Sequence, residues 1–317
     1  MCSRKSQVEL SLAIIRRLTV ARGELLLPYL FDALGLKRKI VKNLLKFGAV
    51  EVNGATLRQF DHLLAPGDEV KVNDLSTAVA TVRLKSAKIR IVHEDDALIV
   101  LDKPSGLLTV ATEREKTDTL YARLNDYLRG RGSARPSRAL VVHRLDQGTS
   151  GLVLFAKSRQ VQCLIEDAWQ AVEKTYWVVV EGRPHADLGT ITSYLTEGKS
   201  LKVFSSDHPT PGARLATTHY RLLQTRGDLS LLEVRLESGR KHQIRVHLAG
   251  LGCSVAGDPR YGAASDPCHR LALHAGRLAL AHPLTGARLK FDSPLPLALS
   301  TLFAGSKGCL NPARGQE

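Results

Sequence analysis

The chain contains no apolar run long enough to cross a bilayer. Its uninterrupted apolar segments, such as "ALVV" and "YWVVV", have the length of strands, whereas a membrane-spanning helix needs about 18 or more apolar residues. The first residues, "MCSRKSQVELSLAIIRR", also lack the order of charge, apolar core and small-residue cleavage site that marks a secretory signal. We therefore expect a soluble protein.

Cysteine is scarce, and its spacing excludes common cysteine-based sites. The five cysteines stand at positions 2, 163, 253, 268 and 309, an odd number with no C-x-x-C pair. This argues against a zinc knuckle and is typical of reduced thiols in a cytosol-like compartment. His242 and His247 are five residues apart and do not match the H-E-x-x-H zinc motif. We expect a cytoplasmic protein without a bound metal.

Negative charge is in deficit. Lysine and arginine number 45 against 31 for aspartate and glutamate, so the formal net charge is 45 − 31 = +14, spread along the chain without a polybasic tail. Such a field attracts a polyanion, and nucleic acid is the partner that it fits best. A solvated basic surface that binds nothing in particular would have the same composition. With 317 residues the chain is long enough for two domains.

Residues 23–74 carry the pattern of a small domain. Apolar residues recur at helical spacing from Leu26 to Leu34, and Gly35 follows as a stop signal. A second helix with one apolar face is expected over "LKRKIVKNLLKFG". Beyond it, "AVEVNG" alternates with period two and ends in a tight-turn pair, and "APGDEVKV" supplies a second turn and strand.

Two short helices followed by a small sheet resemble the S-four-like RNA-binding domain, named after a small-subunit ribosomal protein. "GAVEVNG" and "PGDEV" are its most specific pieces. The resemblance implies an α/β domain whose second helix contacts RNA, because a helix face crowded with cations suits a phosphate backbone. We assign this contact to Lys37, Arg38 and Lys42. In isolation, the same helix would be interpreted as an amphipathic helix with a solvated face.

The rest of the chain is expected to form a larger domain. Residues 75–87, "LSTAVATVRLKSA", have neither periodicity nor turn signals, and we place a linker there. From residue 88 to 303, β-type runs dominate with scattered helical patterns, which predicts an α+β domain with a large, mainly antiparallel sheet. Residues 1–22 then form an N-terminal extension and residues 304–317 a loose tail.

The stretch "HRLDQGTSG" leaves open what Asp146 does. A strand that ends at Leu145-Asp146 and passes into a small-residue turn would hold a carboxylate rigidly where a ligand can reach it. On a strand, Arg144 would share a face with Asp146. An aspartate at a turn, however, more often accepts backbone N–H bonds than performs catalysis. The stretch alone therefore favours a structural role.

Taken together, five blocks of the sequence resemble the RluA-type pseudouridine synthases. "HRLDQGTSG" is similar to the signature of that family, and four further blocks stand in the family's order: "VLDKPSGLLT", "EKTYWVVVEG", "ESGRKHQIRVHLAGLGCSVAGDPRYG" and "LALHAGRLALAHPLTG". The resemblance covers nearly all of residues 90–296. Gly148 departs from it, since many relatives carry aspartate at that position, which varies within the family.

The resemblance implies an enzyme that isomerises uridine to pseudouridine in RNA without a cofactor or a metal. The N-glycosidic bond breaks, the uracil turns, and a carbon–carbon bond forms through its carbon five. By resemblance, Asp146 is the essential carboxylate and Arg245 its ionic partner. Tyr176 stacks on the uracil and assists proton loss from carbon five, although a core aromatic would fit that strand too. Arg144 fills the space left by the flipped base, because a paired uridine is inaccessible.

Four more residues are assigned to RNA contact. Lys103 either binds a substrate phosphate or shapes the fold, and Arg240 lies in a loop that either meets phosphates or is solvated. Thr149 belongs to the small-residue turn that lets RNA approach closely. His143 is placed in the same set. A hydrolytic triad of this histidine with Ser150 is rejected, because residues so close along one strand and turn do not form the relay.

The expected partner is RNA, and the two-domain layout favours large-subunit ribosomal RNA as the target. Transfer RNA is the alternative substrate. A non-catalytic RNA-binding or ribosome-assembly factor on the same scaffold would show the same charge and domain plan. Such a protein has no physical need to keep Asp146, Arg144, Tyr176 and Arg245 together, so we expect an enzyme. We also expect a monomer.

Overall fold

A computed structural model describes four stretches of the chain: residues 16–73, 75, 88–130 and 138–304. They form two compact units. The first unit comprises residues 16–73, 75, 88, 121–130 and 138–139, and the second comprises residues 89–120 and 140–304. Residues 76–87 of the predicted linker lie outside the described residues, as do residues 1–15 of the predicted extension and 305–317 of the predicted tail.

Two helices of the first unit follow the predicted spacing. Helix α1 spans Leu26–Leu34 and ends at Gly35, whose φ of 62° is left-handed, a backbone conformation that glycine adopts without steric cost. Helix α2 spans Arg38–Lys46 and turns its apolar side inward. The two helices share one apolar core, which includes Leu26, Leu30, Val41, Leu44 and Leu45.

The first unit also contains two small antiparallel sheets, one of four strands and one of two. Their strands are β1 (Arg16–Thr19), β2 (Glu24–Leu25), β3 (Val50–Val52), β4 (Ala55–Leu57), β5 (Leu63–Leu64) and β6 (Glu69–Val72). Four of them pair in the order β1-β6-β3-β4, and β2 pairs with β5. Asn53 and Gly54 join β3 to β4 at φ of 50° and 81°, the tight turn expected from the sequence. Strand β1 lies upstream of residue 23, so the predicted extension contributes a strand to the four-stranded sheet.

The second unit is built on an eleven-stranded sheet. Its strands are β7 (Arg90–Glu94), β8 (Leu98–Lys103), β9 (Leu140–Val141), β10 (Ser150–Ala156), β11 (Glu173–Glu181), β12 (Leu188–Glu197), β13 (Val203–Ser206), β14 (Arg214–Arg226), β15 (Leu229–Leu236), β16 (Leu273–Ala281) and β17 (Arg288–Asp292). Nine lie in the order β13-β12-β14-β15-β11-β16-β10-β8-β7, while β9 pairs with β10 and β17 with β16. Among these strands, β10 and β16 pair in parallel and the other ladders are antiparallel.

Four further α-helices are described: α3 (Leu120–Gly130), α4 (Arg159–Asp167), α5 (Gln243–Gly250) and α6 (Leu297–Ser300). Three short 3-10 helices accompany them: Trp169–Ala171, Pro259–Tyr261 and Thr301–Phe303. The predicted α+β class with a large, mainly antiparallel sheet is confirmed. Residues 121–130 of α3 group with the first unit, although the prediction placed them within the larger domain. No helix in the described part of the chain combines the length and apolar character needed to cross a membrane.

Strand β10 is the buried centre of the second unit. All seven of its residues, "SGLVLFA", are buried, as expected of a strand covered on both faces. Leu152, Leu154 and Ala156 of the strand belong to one apolar cluster. Helix α4 contributes Val161 and Ile165 to the same cluster. The strand therefore gives a fixed end point to the chain segment that precedes it, which contains Asp146.

The start of β10 tolerates only glycine at position 151. Gly151 has a φ of 113°, and a Cβ there would lie 2.2 Å from the carbonyl oxygen of Ala275 in β16. We predict that Gly151→Ala lowers the free energy of unfolding by on the order of 3 kcal/mol, since backbone strain adds to the overlap with a fixed carbonyl. Urea unfolding measures this. Gly250→Ala is the control, because a Cβ there meets nothing within 4 Å, and equal midpoints for the two variants would contradict the prediction.

Candidate active site

Asp146 lies in an irregular segment between two strands. Strand β9 ends at Val141, and regular pairing resumes only where β10 begins at Ser150. The predicted strand end at Leu145-Asp146 is therefore wrong. The expectation that Arg144 shares a strand face with Asp146 is lost with it.

His143 explains why the β9 ladder stops. The β9–β10 ladder ends at the pair Val141 and Phe155. Beyond it, the N–H of Leu154 in β10 donates to the side chain of His143, at Nε2, with a distance of 3.0 Å. The imidazole also packs against Trp169, with ring centroids 4.8 Å apart. Burial lowers the pKa of His143 to about 3, and the nearby Lys174 charge acts in the same direction. His143 is thus a neutral acceptor bonded to the sheet.

A second loop, residues 105–109, clamps the segment that carries Asp146. Thr109 Oγ1 donates to the Leu145 carbonyl at 2.7 Å and accepts from the Leu145 N–H at 3.1 Å. Three more bonds join the loops just beyond Asp146: Gly106 N–H to Gln147 O, Ser105 Oγ to Gly148 O, and Gln147 Nε2 to Gly106 O. Asp146 is therefore held from both sides along the chain, which fixes where its carboxylate points.

Lys103 belongs to this clamp and not to an RNA-binding surface. Its side chain is buried, with 1% of the residue exposed. The ammonium donates to the carbonyl oxygens of Pro104 at 3.0 Å, Leu107 at 2.7 Å and Gln147 at 3.1 Å. Burial lowers the pKa of Lys103 to about 7, while the Asp146 carboxylate acts to raise it. Of the two roles considered for Lys103, shaping the fold agrees with this geometry and phosphate binding does not.

Arg245, in α5, joins two carboxylates. Its Nη1 donates to Asp146 Oδ2 at 3.1 Å, while Nε and Nη2 donate to the two oxygens of Asp258 at 2.6 and 2.8 Å. Asp258 is 2% exposed. Burial acts to lower the pKa of Arg245, but the bonds and charges of Asp258 and Asp146 outweigh it and raise the pKa. The bidentate pair with Asp258 aims the third N–H donor at Asp146.

An open pocket of about 70 Å³ lies at this carboxylate. Its lining includes predicted site residues from three parts of the chain: Arg144, Asp146, Thr149, Tyr176, Arg240 and Arg245. The apolar part of the lining includes Leu236, Ile244 and Leu273. Such a mixture of apolar surface with a few convergent polar groups is typical of a site for a small ligand group.

Tyr176 reaches the pocket from a bulge in the sheet. The pairing of β11 with β16 shifts register between Thr175 and Tyr176, next to Gly276. Bulges are common beside active sites because they re-aim a side chain. Burial raises the pKa of Tyr176, and the Asp146 charge raises it further. The Tyr176 hydroxyl therefore stays protonated at neutral pH.

Three lining or supporting residues were missed from the sequence. Asp258 and Tyr261 both stand in "GDPRYG", the end of a block that was quoted for the resemblance without singling them out. His242 was considered only as a metal ligand, yet its Nε2 lies 3.7 Å from Asp146 Oδ2. No spacing pattern marks these residues. They come together only because α5 and the turn after it pack on the same strands.

Lys37, Arg38 and Lys42 lie in the first unit, at the start and along the exposed side of α2. None of the three forms an ion pair within the described residues. Arg38 lies over the ring of Phe31, with 6.0 Å from its guanidinium carbon to the ring centroid. For the described stretches, no group of three or more histidine, cysteine, aspartate or glutamate side chains is arranged to hold a metal ion.

Comparison with known proteins places this architecture in a family. A family profile described as RNA pseudouridylate synthase matches residues 97–250. The RNA pseudouridine synthase YhcT of Bacillus subtilis is 30% identical over 289 residues, covering 88% of this chain and 92% of the relative. The chain belongs to the RNA pseudouridine synthase family. It is therefore an isomerase that acts on RNA, as the five sequence blocks predicted.

Two further similarities refine the match for this RNA pseudouridine synthase. The ribosomal large subunit pseudouridine synthase D of Zymomonas mobilis is 31% identical, covering 84% of this chain and 89% of the relative. The solved structure of human RNA pseudouridylate synthase domain containing 4 superposes with a TM-score of 0.57, covering 71% of this chain and 94% of that one, at 23% identity. At that identity the superposition shows the fold alone. The S-four-like nature of the first unit stays a prediction.

The clamp around Lys103 gives a test of its structural role. We predict that Lys103→Met lowers the free energy of unfolding by on the order of 3 kcal/mol, because it removes the three hydrogen bonds that the buried ammonium donates to the carbonyls of Pro104, Leu107 and Gln147. Lys174→Met is the matched control, since Lys174 is also a buried lysine but donates to a single carbonyl, that of Trp169. Urea unfolding midpoints decide between them. A Lys103 variant no less stable than the Lys174 variant would contradict the assignment.

Proposed function

We propose that this synthase isomerises specific uridines in structured RNA, with large-subunit ribosomal RNA as its target and Asp146 as its essential carboxylate. The observation that carries the proposal is the geometry of that carboxylate. Oδ2 of Asp146 is bound by the buried Arg245, while Oδ1 has no protein partner among the described residues. One oxygen is thus anchored, and the other is left to meet the ribose.

The charge balance of the site supports a reactive anion. Arg245 carries one positive charge and is shared between Asp146 and Asp258, so the formal charge of the three groups together is −1. In the proposed reaction Oδ1 attacks the anomeric carbon or assists departure of the base. The bond between the anomeric carbon and uracil N1 breaks, and its electron pair leaves with N1. Carbon five then bonds to the anomeric carbon, and any bond formed by Oδ1 breaks with its electron pair returned to Asp146. The proton lost from carbon five is balanced by one taken up at N1.

Tyr176 and Arg144 are proposed to handle the flipped uridine. With its pKa raised, Tyr176 is not available as a phenolate base, so we assign it to stacking on the uracil and to hydrogen bonding through its hydroxyl. Arg144 is exposed at the pocket, where it fills the gap left in the RNA stack. Arg240, also exposed there, meets a phosphate, and Thr149 lets the backbone of the RNA approach.

The first unit is proposed to hold the RNA through α2, as an S-four-like domain would. The support is that Lys37, Arg38 and Lys42 are exposed without acidic partners in the described structure.

The proposed ribosomal target rests on the name of the Zymomonas mobilis relative, a ribosomal large subunit pseudouridine synthase, and on the two-unit layout. Transfer RNA is the competing substrate, and mapping pseudouridines across all cellular RNA with and without the gene separates the two. The monomeric state and cytoplasmic location stay predictions.

Asp146→Asn tests the proposed catalyst. Release of tritium from RNA labelled at uracil carbon five should fall by on the order of a thousandfold or more, because an amide neither attacks the anomeric carbon nor carries the negative charge. Asp167→Asn, at the exposed end of α4, is the control and should release tritium at the wild-type rate. Full release from the Asp146 variant would sink the mechanism, whereas RNA binding without release from the wild type would identify a non-catalytic factor.

A second test addresses the first unit. Replacing Lys37, Arg38 and Lys42 together by glutamine should weaken RNA binding. It should also make the slope of log affinity against log salt concentration shallower by about two, because each lost phosphate contact reduces the magnitude of that slope by roughly 0.7 to 0.9. Filter binding over a salt series gives the slope. Arg17→Gln is the control in the same unit, because Arg17 is already paired with Glu69 at 3.5 Å. An unchanged slope in the triple variant would place the RNA elsewhere.

A further inference from the structure

His242 is held in a strained conformation beside Asp146. Its φ is 54°, the left-handed region that residues with a Cβ avoid. It immediately precedes α5, and its side chain is 9% exposed. Residues kept in such a conformation persist where the surrounding structure fixes them, and they cluster at functional sites. The strained backbone of His242 therefore suggests that its side chain has a role in the pocket.

A relay of hydrogen bonds fixes which ring nitrogen of His242 carries the hydrogen. The Val203 amide donates to the Tyr261 hydroxyl oxygen at 2.9 Å, and that hydroxyl lies 2.8 Å from His242 Nδ1. In the described structure the hydroxyl hydrogen has no other acceptor within reach, so it points to Nδ1. A neutral imidazole whose Nδ1 accepts must carry its hydrogen on Nε2.

That Nε2–H faces the candidate catalyst. The Nε2 atom lies 3.7 Å from Asp146 Oδ2, the same oxygen that Arg245 binds at 3.1 Å. Burial lowers the pKa of His242 to about 4, with the charges of Arg245, Lys241 and Arg260 lowering it further and that of Asp146 acting to raise it. His242 is therefore neutral at physiological pH and approaches the carboxylate as an uncharged donor.

Neutrality matters for the charge of the site. Asp146, Asp258 and Arg245 together leave one negative charge, and Asp258 already takes two of the guanidinium donors. An imidazolium at position 242 would cancel that charge. A neutral N–H donor restrains Oδ2 without removing the charge, so Oδ1 keeps its nucleophilic character.

We propose that His242, locked by Tyr261 as the Nε2–H tautomer, is a positioning residue for Asp146: it gives Oδ2 a second, uncharged donor and keeps Oδ1 turned to the substrate. The inference rests on the proposed function of Asp146. A movement of His242 Nε2 by less than about 1 Å toward Asp146 Oδ2 would bring the two atoms within hydrogen-bonding distance. Catalytic hydrogen bonds of this kind tighten when substrate binds. Tyr261 also lies under Arg245, with 5.0 Å from its ring centroid to the guanidinium carbon, so one ring supports both donors.

The tautomer is tested directly by nuclear magnetic resonance on the full chain labelled with ¹⁵N in histidine, without RNA. At pH 7, His242 should show a bare Nδ1 and a protonated Nε2, and its signals are assigned by their loss in His242→Gln. Tyr261→Phe keeps the ring and removes the hydroxyl, and it should shift the hydrogen at least partly to Nδ1. A protonated Nδ1 in the wild type, or an unchanged tautomer in Tyr261→Phe, would overturn the proposal.

Kinetics test the positioning role with two variants of similar length. His242→Gln keeps an N–H donor at a similar reach, whereas His242→Met has none. The methionine variant should lose about tenfold to a hundredfold in kcat with little change in KM, and glutamine should restore most of the rate. Wild-type kcat in the methionine variant, or equal losses in both variants, would overturn the role of His242. Asp146→Asn in the same assay separates the outcomes, because its full activity would sink the proposed function instead.

Discussion

The second unit depends on one guanidinium buried between two carboxylates. Arg245 donates to both oxygens of Asp258 through Nε and Nη2, and to Asp146 through Nη1. A buried charge is stable only when its donors are satisfied, and here that requirement draws together the Asp146 loop, helix α5 and the turn at Asp258. The pocket is lined by the Asp146 loop and the start of α5, while Asp258 holds Arg245 from outside that lining. The placement of Asp146 and Arg245 in its wall therefore depends on satisfying one cation.

The loop clamp complements this ionic arrangement. Arg245 fixes the carboxylate end of Asp146, while Thr109 and Lys103 fix the backbone on either side of it. Neither element alone determines an orientation, because a side chain can rotate on a fixed backbone and a loop can shift around a fixed side chain. Together they hold one carboxylate oxygen and free the other. Preorganisation of this kind lowers the reorganisation that a reaction needs.

Local signals in the sequence predicted the local structure well. The spacing from Leu26 to Leu34 and the stop at Gly35 gave α1, and the Asn53-Gly54 pair gave the turn between β3 and β4, because each depends on neighbours in the chain. The resemblance pointed to Asp146 and Arg245, which the structure brings to 3.1 Å. What failed depends on distant partners. The strand expected through Asp146 is ended by a histidine side chain bonded to β10, Lys103 is buried by a loop that its own sequence does not reveal, and Asp258 has no local pattern at all.

The parallel pairing of β10 with β16 has a consequence for synthesis of the protein. Ser150 and His274, opposite each other in that ladder, are 124 residues apart, and Asp146 is 99 residues from Arg245. A chain emerging from the ribosome therefore exposes its carboxylate long before the counter-ion or the supporting strand exists. Contacts of such sequence separation also slow folding. The pocket is assembled only after nearly the whole second unit has been made, so an incomplete chain contains the sequence signature without an organised site.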